Sequence, residues 1–311
     1  MLKHKRTQAQ SCFTNELHEA LMDKDYSSFW RSWNAKFGHA ISSQVINGTS
    51  DHGSIAEAFG DIFDACCQPN NNMAHDRLKQ QFEHMYDGYC GAAFDVESSI
   101  NVELVDRAIR DLKLGRAAGP DGICAEHLVY CHPLVCVLLS LLFRLMFMYR
   151  YVPDSFGLGM ISPLLKGDNC NRTVAENYRA ITISPCVSKV FGLSSMFHES
   201  LRSEDLQFGF KKGRGCRDAI YTLRGIVGSA AMLCALDISK AFDKMSHPVL
   251  YIKLMQRNIP KCFLDVLINW YSKSYAFVRW GSFVSRVFLI SAGVRQGGVL
   301  SLVSLLFLWI L

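Results

Sequence analysis

The sequence predicts an α+β fold, and three observations carry that prediction. Apolar residues recur at helical spacing through the first half. Short apolar runs of strand length, bounded by glycine, proline and polar residues, take over from about residue 158. Long helices and short strands then alternate without a repeat, which is the pattern of helices packed on a small sheet. Half of the 311 residues are apolar and a fifth are charged, an ordinary globular balance that allows a sizeable core.

Residues 1–95 read as a helical preface. Ile55, Ala58, Phe59, Ile62 and Phe63 lie on one helical face, and a polar break follows from Gln68 to Asn72. Leu104, Val105, Ala108, Ile109 and Leu112 predict a second helix, from Asn101 to a C-cap at Gly115. Gly119-Pro-Asp-Gly122 is a turn, because proline presets one φ and glycine permits the next. A strongly apolar stretch from 133 to 149 reads as a buried helix. It is interrupted by Arg144 and falls short of the roughly 18 to 20 residues of a membrane span.

Strands are expected over 158–166 and 177–184, joined by a polar loop. Pro185 opens a helix, and a basic, glycine-rich loop from Gln207 to Asp218 leads into another. Ala231 to Leu236 has the unbroken apolar character of a central strand. Helices follow from Pro248 to about 257 and over 261–273. Tyr275–Trp280 and Val284–Ile290 then predict a hairpin around Gly281-Ser282.

Composition narrows function only modestly. The net charge of +5 suits a phosphate-rich partner without demanding one. Twelve cysteines include no CxxC pair and no zinc-ligand spacing, so free thiols in an intracellular protein are expected. The first ten residues are polar and basic, with none of the apolar core of a secretion signal.

Four segments can carry chemistry. Asp237 closes the apolar run 231–236, and a carboxylate there is costly unless a cation or a helix cap compensates. Gly293-Val-Arg-Gln296-Gly297-Gly298 combines close backbone approach with an amide that both donates and accepts. Lys166 and Arg179 sit on strands that a hairpin could bring together, where a point charge and a forked guanidinium suit a triphosphate. Lys211, Lys212, Arg214 and Arg217 supply four cations in seven residues, enough to track a nucleic-acid backbone. Each has a plainer reading, as a cap, a tight loop or solvated charge.

Their order is more specific than any one of them. Gly119-Pro-Asp-Gly-Ile, Pro163-Leu-Leu-Lys-Gly, Asn177-Tyr-Arg-x-Ile, Gln207-Phe-Gly-Phe-Lys-Lys-Gly-Arg, Asp237-Ile-Ser-Lys-Ala-Phe-Asp and Gly293-Val-Arg-Gln-Gly-Gly-Val-Leu-Ser follow one another. This series resembles the reverse transcriptases of non-LTR (LINE-like) retrotransposons across about residues 100 to 301.

The resemblance implies a right-hand polymerase fold, fingers plus partial palm with the thumb missing. Residues 1–95 would be a linker-like region, 96–144 an amino-terminal extension of the fingers, and 145–311 the reverse transcriptase domain. Asp237 would be the first catalytic carboxylate and, with the backbone carbonyl of Ile238, would bind Mg²⁺, two ions in the intact family site. Phe242 would exclude a 2′-hydroxyl, and Gln296 and Gly297 would contact the incoming nucleotide and the template. Lys166 and Arg179 would close over the triphosphate, while Lys211, Lys212, Arg214 and Arg217 would bind template. Gly119, Asp121 and Gly122 would be structural. The implied partners are an RNA template, a DNA primer and deoxynucleoside triphosphates, with no membrane.

One departure matters. The family's Asp-Asp motif does not occur in these 311 residues. The resemblance therefore predicts a C-terminally truncated polymerase, inactive alone. The alternatives are a non-enzymatic remnant that binds RNA or protein and, more distantly, a group II intron maturase.

Overall fold

In the computed structural model the described residues are 45–69, 73–167, 169–194, 213–227 and 242–297, with isolated positions elsewhere. The chain divides into two compact units, Met1–Ser50 and Asp51–Leu311. All the helices and strands named here belong to the second. They run α1 (His52–Cys66), α2 (Met73–Asp87), α3 (Val96–Ser99), α4 (Val102–Arg110), α5 (Ala125–Val129), α6 (Leu134–Tyr149) and α7 (Asp154–Gly157). Then come β1 (Leu158–Leu165), β2 (Tyr178–Ile183), α8 (Cys186–Ser194), α9 (Cys216–Val227), α10 (His247–Gln256), α11 (Lys261–Ser272), β3 (Tyr275–Trp280), β4 (Phe283–Val284) and β5 (Phe288–Leu289).

The helix starts follow from local chemistry. Asp51 caps α1 by accepting from the Ser54 N–H at 2.7 Å, and Asn101 caps α4 by accepting from Leu104 at 2.8 Å. Pro248 occupies the first turn of α10, where its missing N–H costs no helical bond. The predicted α4 continues in sequence to Gly115, but the helix stops at Arg110, capped by Asp111. Gly115 takes a positive φ of 71° beyond it, and its N–H donates to the Glu126 carboxylate at 2.5 Å.

The sheet is mixed and narrow. Its order is β2-β1-β3-β4, with β5 also on β3. β1 and β2 form an antiparallel hairpin with Leu164 opposite Arg179, and β1 runs parallel to β3 with Met160 opposite Phe277. The strand expected over 284–290 is split into β4 and β5. Ser285 accounts for the break, because its N–H and side chain both bond Val278 across the hairpin, at 2.9 Å each. The next residue, Arg286, turns to α1. Its N–H donates to Glu57 and its guanidinium pairs with Asp61 and Asp64. On the same side Phe59 of α1 packs on Tyr178 of β2 and Trp280 of β3, with ring centroids 5.1 and 5.2 Å apart. The fold is mixed α/β, with α1 covering one face of the sheet.

The main core lies among α4, α6, α8, α10 and α11. Phe191 is its hub, with ring centroids 5.0 Å from Phe143, 5.6 Å from Phe147 and 5.4 Å from Trp270. The Gly119-Pro-Asp-Gly turn rests on this body. A Cβ on Gly119 would come within 2.9 Å of Pro185 Cα, so only glycine lets the turn sit against the start of α8. The Asp121 side chain accepts from Ile123, closing the turn locally.

One buried acid ties three helices. Asp265 on α11 accepts from Tyr86 of α2 at 2.6 Å and pairs with Arg150, just past α6, at 2.9 Å. Burial, then this hydrogen bond, pushes the Tyr86 hydroxyl up to about 12. The α6 helix itself is not the buried helix its composition suggests. Phe143, Met146 and Phe147 face the core, while Leu134, Leu138, Leu141, Leu145 and Met148 are exposed.

Candidate active site

Two segments singled out in the sequence meet in space. Phe242 and Asp243 end the first of them, and Gly293 to Gln296 belong to the second. The Val294 N–H donates to the Phe242 carbonyl at 2.7 Å, and the Gly293 N–H donates to Met245 at 2.7 Å. The Gln296 amide nitrogen donates to the Asp243 carboxylate at 3.3 Å. Gly293 has φ of 85°, and a Cβ there would lie 2.6 Å from the carbonyl oxygens of both Phe242 and Asp243. The approach of the two segments thus depends on a missing side chain.

The second segment also docks on the sheet. Gln296 bridges Ile181 in parallel, and its carbonyl accepts from the Thr182 N–H at 2.8 Å along the outer edge of β2. Arg179 lies two residues earlier on β2, about 7 Å along the strand and on the same face as Ile181. Lys166 follows β1 directly. Its N–H donates to the Asn177 carbonyl, and its ammonium donates to the Glu176 carbonyl at 2.5 Å. The hairpin therefore does bring Lys166 and Arg179 to one end of one sheet face, both exposed. Gln296, Gly297 and Phe242 are bound into the adjoining junction.

Arg214 and Arg217 sit on a separate element, exposed at and before the start of α9, with the Arg214 guanidinium 5.8 Å from the Phe208 ring. Lys211, Lys212, Asp237 and Ile238 lie outside the described residues, as does the 231–236 run apart from Cys234. Among the described residues no group of three His, Cys, Asp or Glu side chains gathers to hold a metal ion, and every cysteine is a free thiol. No helix among them is long and apolar enough to cross a membrane.

Three supports of this junction were not singled out in the sequence. The end of α1 is one: the Cys67 carbonyl accepts from Ala292 at 2.8 Å, and the Gln68 side chain accepts from Ser291 at 2.8 Å. The Gln68 backbone carbonyl accepts from the Lys244 ammonium at 3.0 Å, so one helix end holds both segments. Arg295 is the second. Its guanidinium reaches back to the Phe156 and Gly157 carbonyls, and burial pushes its pKa down to about 10, so it stays charged near neutrality. A lone Arg between Val294 and Gln296 gave no signal of that enclosure.

The third is His247, buried at the first turn of α10. Its Nε2 lies 2.8 Å from the Gly293 carbonyl, which can only accept, so Nε2 carries the proton. The ring packs against Tyr271, tilted by 31° with centroids 4.7 Å apart. Burial holds its pKa below 6.5, outweighing the opposing pull of the Gly293 bond. A base whose folded pKa is depressed favours the folded state only while neutral. Its contribution is complete above about pH 6.5 and falls as pH drops through that value toward the folded pKa. Urea midpoints at pH 7.5 and 5.5 should diverge more for the native chain than for His247→Gln. Equal pH dependence in the two would show that His247 is not the titrating group.

Similarity to known proteins follows the same residues. Residues 165–307 match the family model described as reverse transcriptase (RNA-dependent DNA polymerase). A probable RNA-directed DNA polymerase from transposon X-element of Drosophila melanogaster is 29% identical over 198 residues, covering 60% of this chain and 22% of that protein. The polymerase from mobile element jockey of Drosophila funebris is 26% identical over 214 residues, 65% of this chain and 23% of its own. The Pol polyprotein from type-2 retrotransposable element R2DM of Drosophila melanogaster is 22% identical over 293 residues, 89% of this chain and 26% of its own. The chain thus spans about a quarter of the length of these relatives. The matched span holds Lys166, Arg179, β2 and both segments of the junction, so the similarity to reverse transcriptases of the non-LTR, LINE-like retrotransposon type falls on the residues of the candidate site.

Proposed function

We propose that this chain supplies the fingers and part of the palm of an RNA-directed DNA polymerase that extends a DNA 3′-hydroxyl on an RNA template. The observation that carries this reading is the junction itself. Gln296 is fixed on Asp243 and on the edge of β2, so the segment for the nucleotide base and the segment for the sugar are locked to the hairpin for the triphosphate. Nucleotidyl transfer asks little covalent chemistry of a protein and much positioning, which such a rigid assembly provides.

The roles follow from chemistry. Lys166 and Arg179 would neutralise the triphosphate, one as a point charge and one as a fork. The half-buried Phe242 ring would clash with a 2′-hydroxyl and tolerate a deoxyribose. Gln296 has its side-chain amide nitrogen on Asp243, which fixes the amide while its oxygen can still accept from a base. Gly297 would let the backbone pass beneath the nascent pair. Lys211, Lys212, Arg214 and Arg217 would follow the template phosphates.

Asp237 and the Ile238 carbonyl offer hard oxygen donors, the kind Mg²⁺ selects. Bound there, two Mg²⁺ ions would supply charge neutralisation at the reacting phosphate and a more acidic attacking hydroxyl. One carboxylate cannot gather both ions, and these 311 residues contain no Asp-Asp pair. The 311-residue polypeptide by itself is therefore expected not to polymerise.

The test is primer extension on an RNA template with Mg²⁺, using this chain and a version continued through the Asp-Asp hairpin and thumb of a jockey-type relative. Activity in the continued version only, lost at least ~10³-fold in Asp237→Ala, is the expected result. Undiminished extension by Asp237→Ala would remove Asp237 from the site. A folded but inactive continued version that still binds RNA would favour a binding fragment instead.

A further inference from the structure

The outer face of α6 is built for another helix. Leu134, Leu138, Leu141, Leu145 and Met148 are 48–65% exposed and are spaced four, three, four and three residues apart. That is the seam of a two-helix coiled contact, in which each side chain enters a hole on a facing helix. Surface helices normally carry charge there, and this one carries none. The one charged residue of α6, Arg144, turns inward and donates to the Ile100 carbonyl at 2.7 Å. Val137 widens the stripe, and Tyr130, Tyr149 and Tyr151 extend it at the ends, all exposed.

We infer that this face pairs with the same face of a second copy of the chain, the two α6 helices running antiparallel about a twofold axis. Three features favour a copy over an unlike partner. The seam is self-complementary: an antiparallel register centred on Phe143 sets Leu141 of one copy against Leu145 of the other, and Leu138 against Met148. The seam is uncharged, so self-pairing brings no like charges together, whereas an acidic or basic partner would find nothing to match. Its extent also fits. A helix of sixteen residues is about 24 Å long, and with the flanking tyrosines the stripe offers several hundred Å², approaching the ~800 Å² per partner of a stable interface. An apolar patch of that size is rarely left to water. The twofold axis makes the contact closed, so it yields dimers rather than filaments.

The experiment is the mass of the purified chain in solution, by light scattering on a sizing column at tens of micromolar. The native chain should run as a dimer, and L141E as a folded monomer with the circular dichroism of the native chain, its melting temperature lowered by the lost association and independent of protein concentration. Mixing L141E with L145K should restore dimers, because the new opposite charges meet across the axis, while L145K alone stays monomeric. A dimeric L141E, or a mixture that stays monomeric, would overturn the proposal. So would a native chain that is monomeric, including one that binds helix-length segments of a longer polypeptide at this face. None of these readouts uses polymerase activity, so the inference stands or falls independently of the proposed function.

Discussion

Gly293→Ala should unseat the loop that carries Gln296. Two effects add. The position has φ of 85°, where an L side chain costs on the order of 1–2 kcal/mol. The new Cβ would also sit 2.6 Å from two backbone carbonyl oxygens, which cannot swing aside as a long side chain can. Relief requires the chain to move away from Phe242 and Asp243. That movement breaks the Val294–Phe242 and Gly293–Met245 hydrogen bonds and lengthens the Gln296–Asp243 contact. With that strain and overpacking at ~1–3 kcal/mol, the loss of stability should be about 2–5 kcal/mol. Thermal unfolding followed by circular dichroism reads it as a drop of more than ~5 °C. Gly297→Ala is the internal comparison: its φ is 104° but its nearest new contact, the Thr182 carbonyl, is 3.0 Å away. A Gly293→Ala chain that melts with the native one would show that the two segments are not held as described.

Much of this was legible in the sequence, for identifiable reasons. β1 and β2 were readable because turn residues bound two short apolar runs, and the hairpin between them followed. The placement of Lys166 and Arg179 at one end of that hairpin came with it. Gly293 and Gln296 stood out by composition, since glycines flanking an amide are unusual at the end of a strand. What was not legible depends on distant partners. The end of α4 is set by Asp111 and by Glu126 reaching Gly115, not by the apolar period that runs on to Leu112. β4 and β5 are separated where the Ser285 hydroxyl takes the Val278 N–H and Arg286 turns to three acidic neighbours on α1, more than 220 residues earlier in the chain. His247 and Arg295 look like ordinary polar residues until the fold encloses them. The α6 face misled in the opposite sense: apolar content says that a helix has a partner, but not whether that partner lies in the same chain.

Phe191→Ala should have the largest effect on stability, about 3–5 kcal/mol. Phe191 is 1% exposed and its ring meets those of Phe143, Phe147, Phe156 and Trp270, contributed by α6, α7 and α11. Truncation removes the transfer free energy of the ring and leaves a cavity that four rigid neighbours cannot collapse to fill. The lost ring contacts, each on the order of 0.5–1.5 kcal/mol in isolation, put the effect at the upper end of the expected range. Phe191→Leu restores most of the volume and should recover more than half of the loss. Urea unfolding gives both numbers, provided the slope is unchanged. The site should feel the cavity as well. β2 runs through Pro185 into α8, and Gln296 is bonded to the edge of β2 at Ile181 and Thr182. A loosened α8 therefore slackens the strand on which the Gln296 loop is docked. Hydrogen exchange at the Thr182 amide, which donates to Gln296, should speed up in Phe191→Ala beyond what the global loss of stability accounts for. Exchange at Thr182 that tracks global unfolding alone would mean that α8 and the site loop are coupled only through the whole fold.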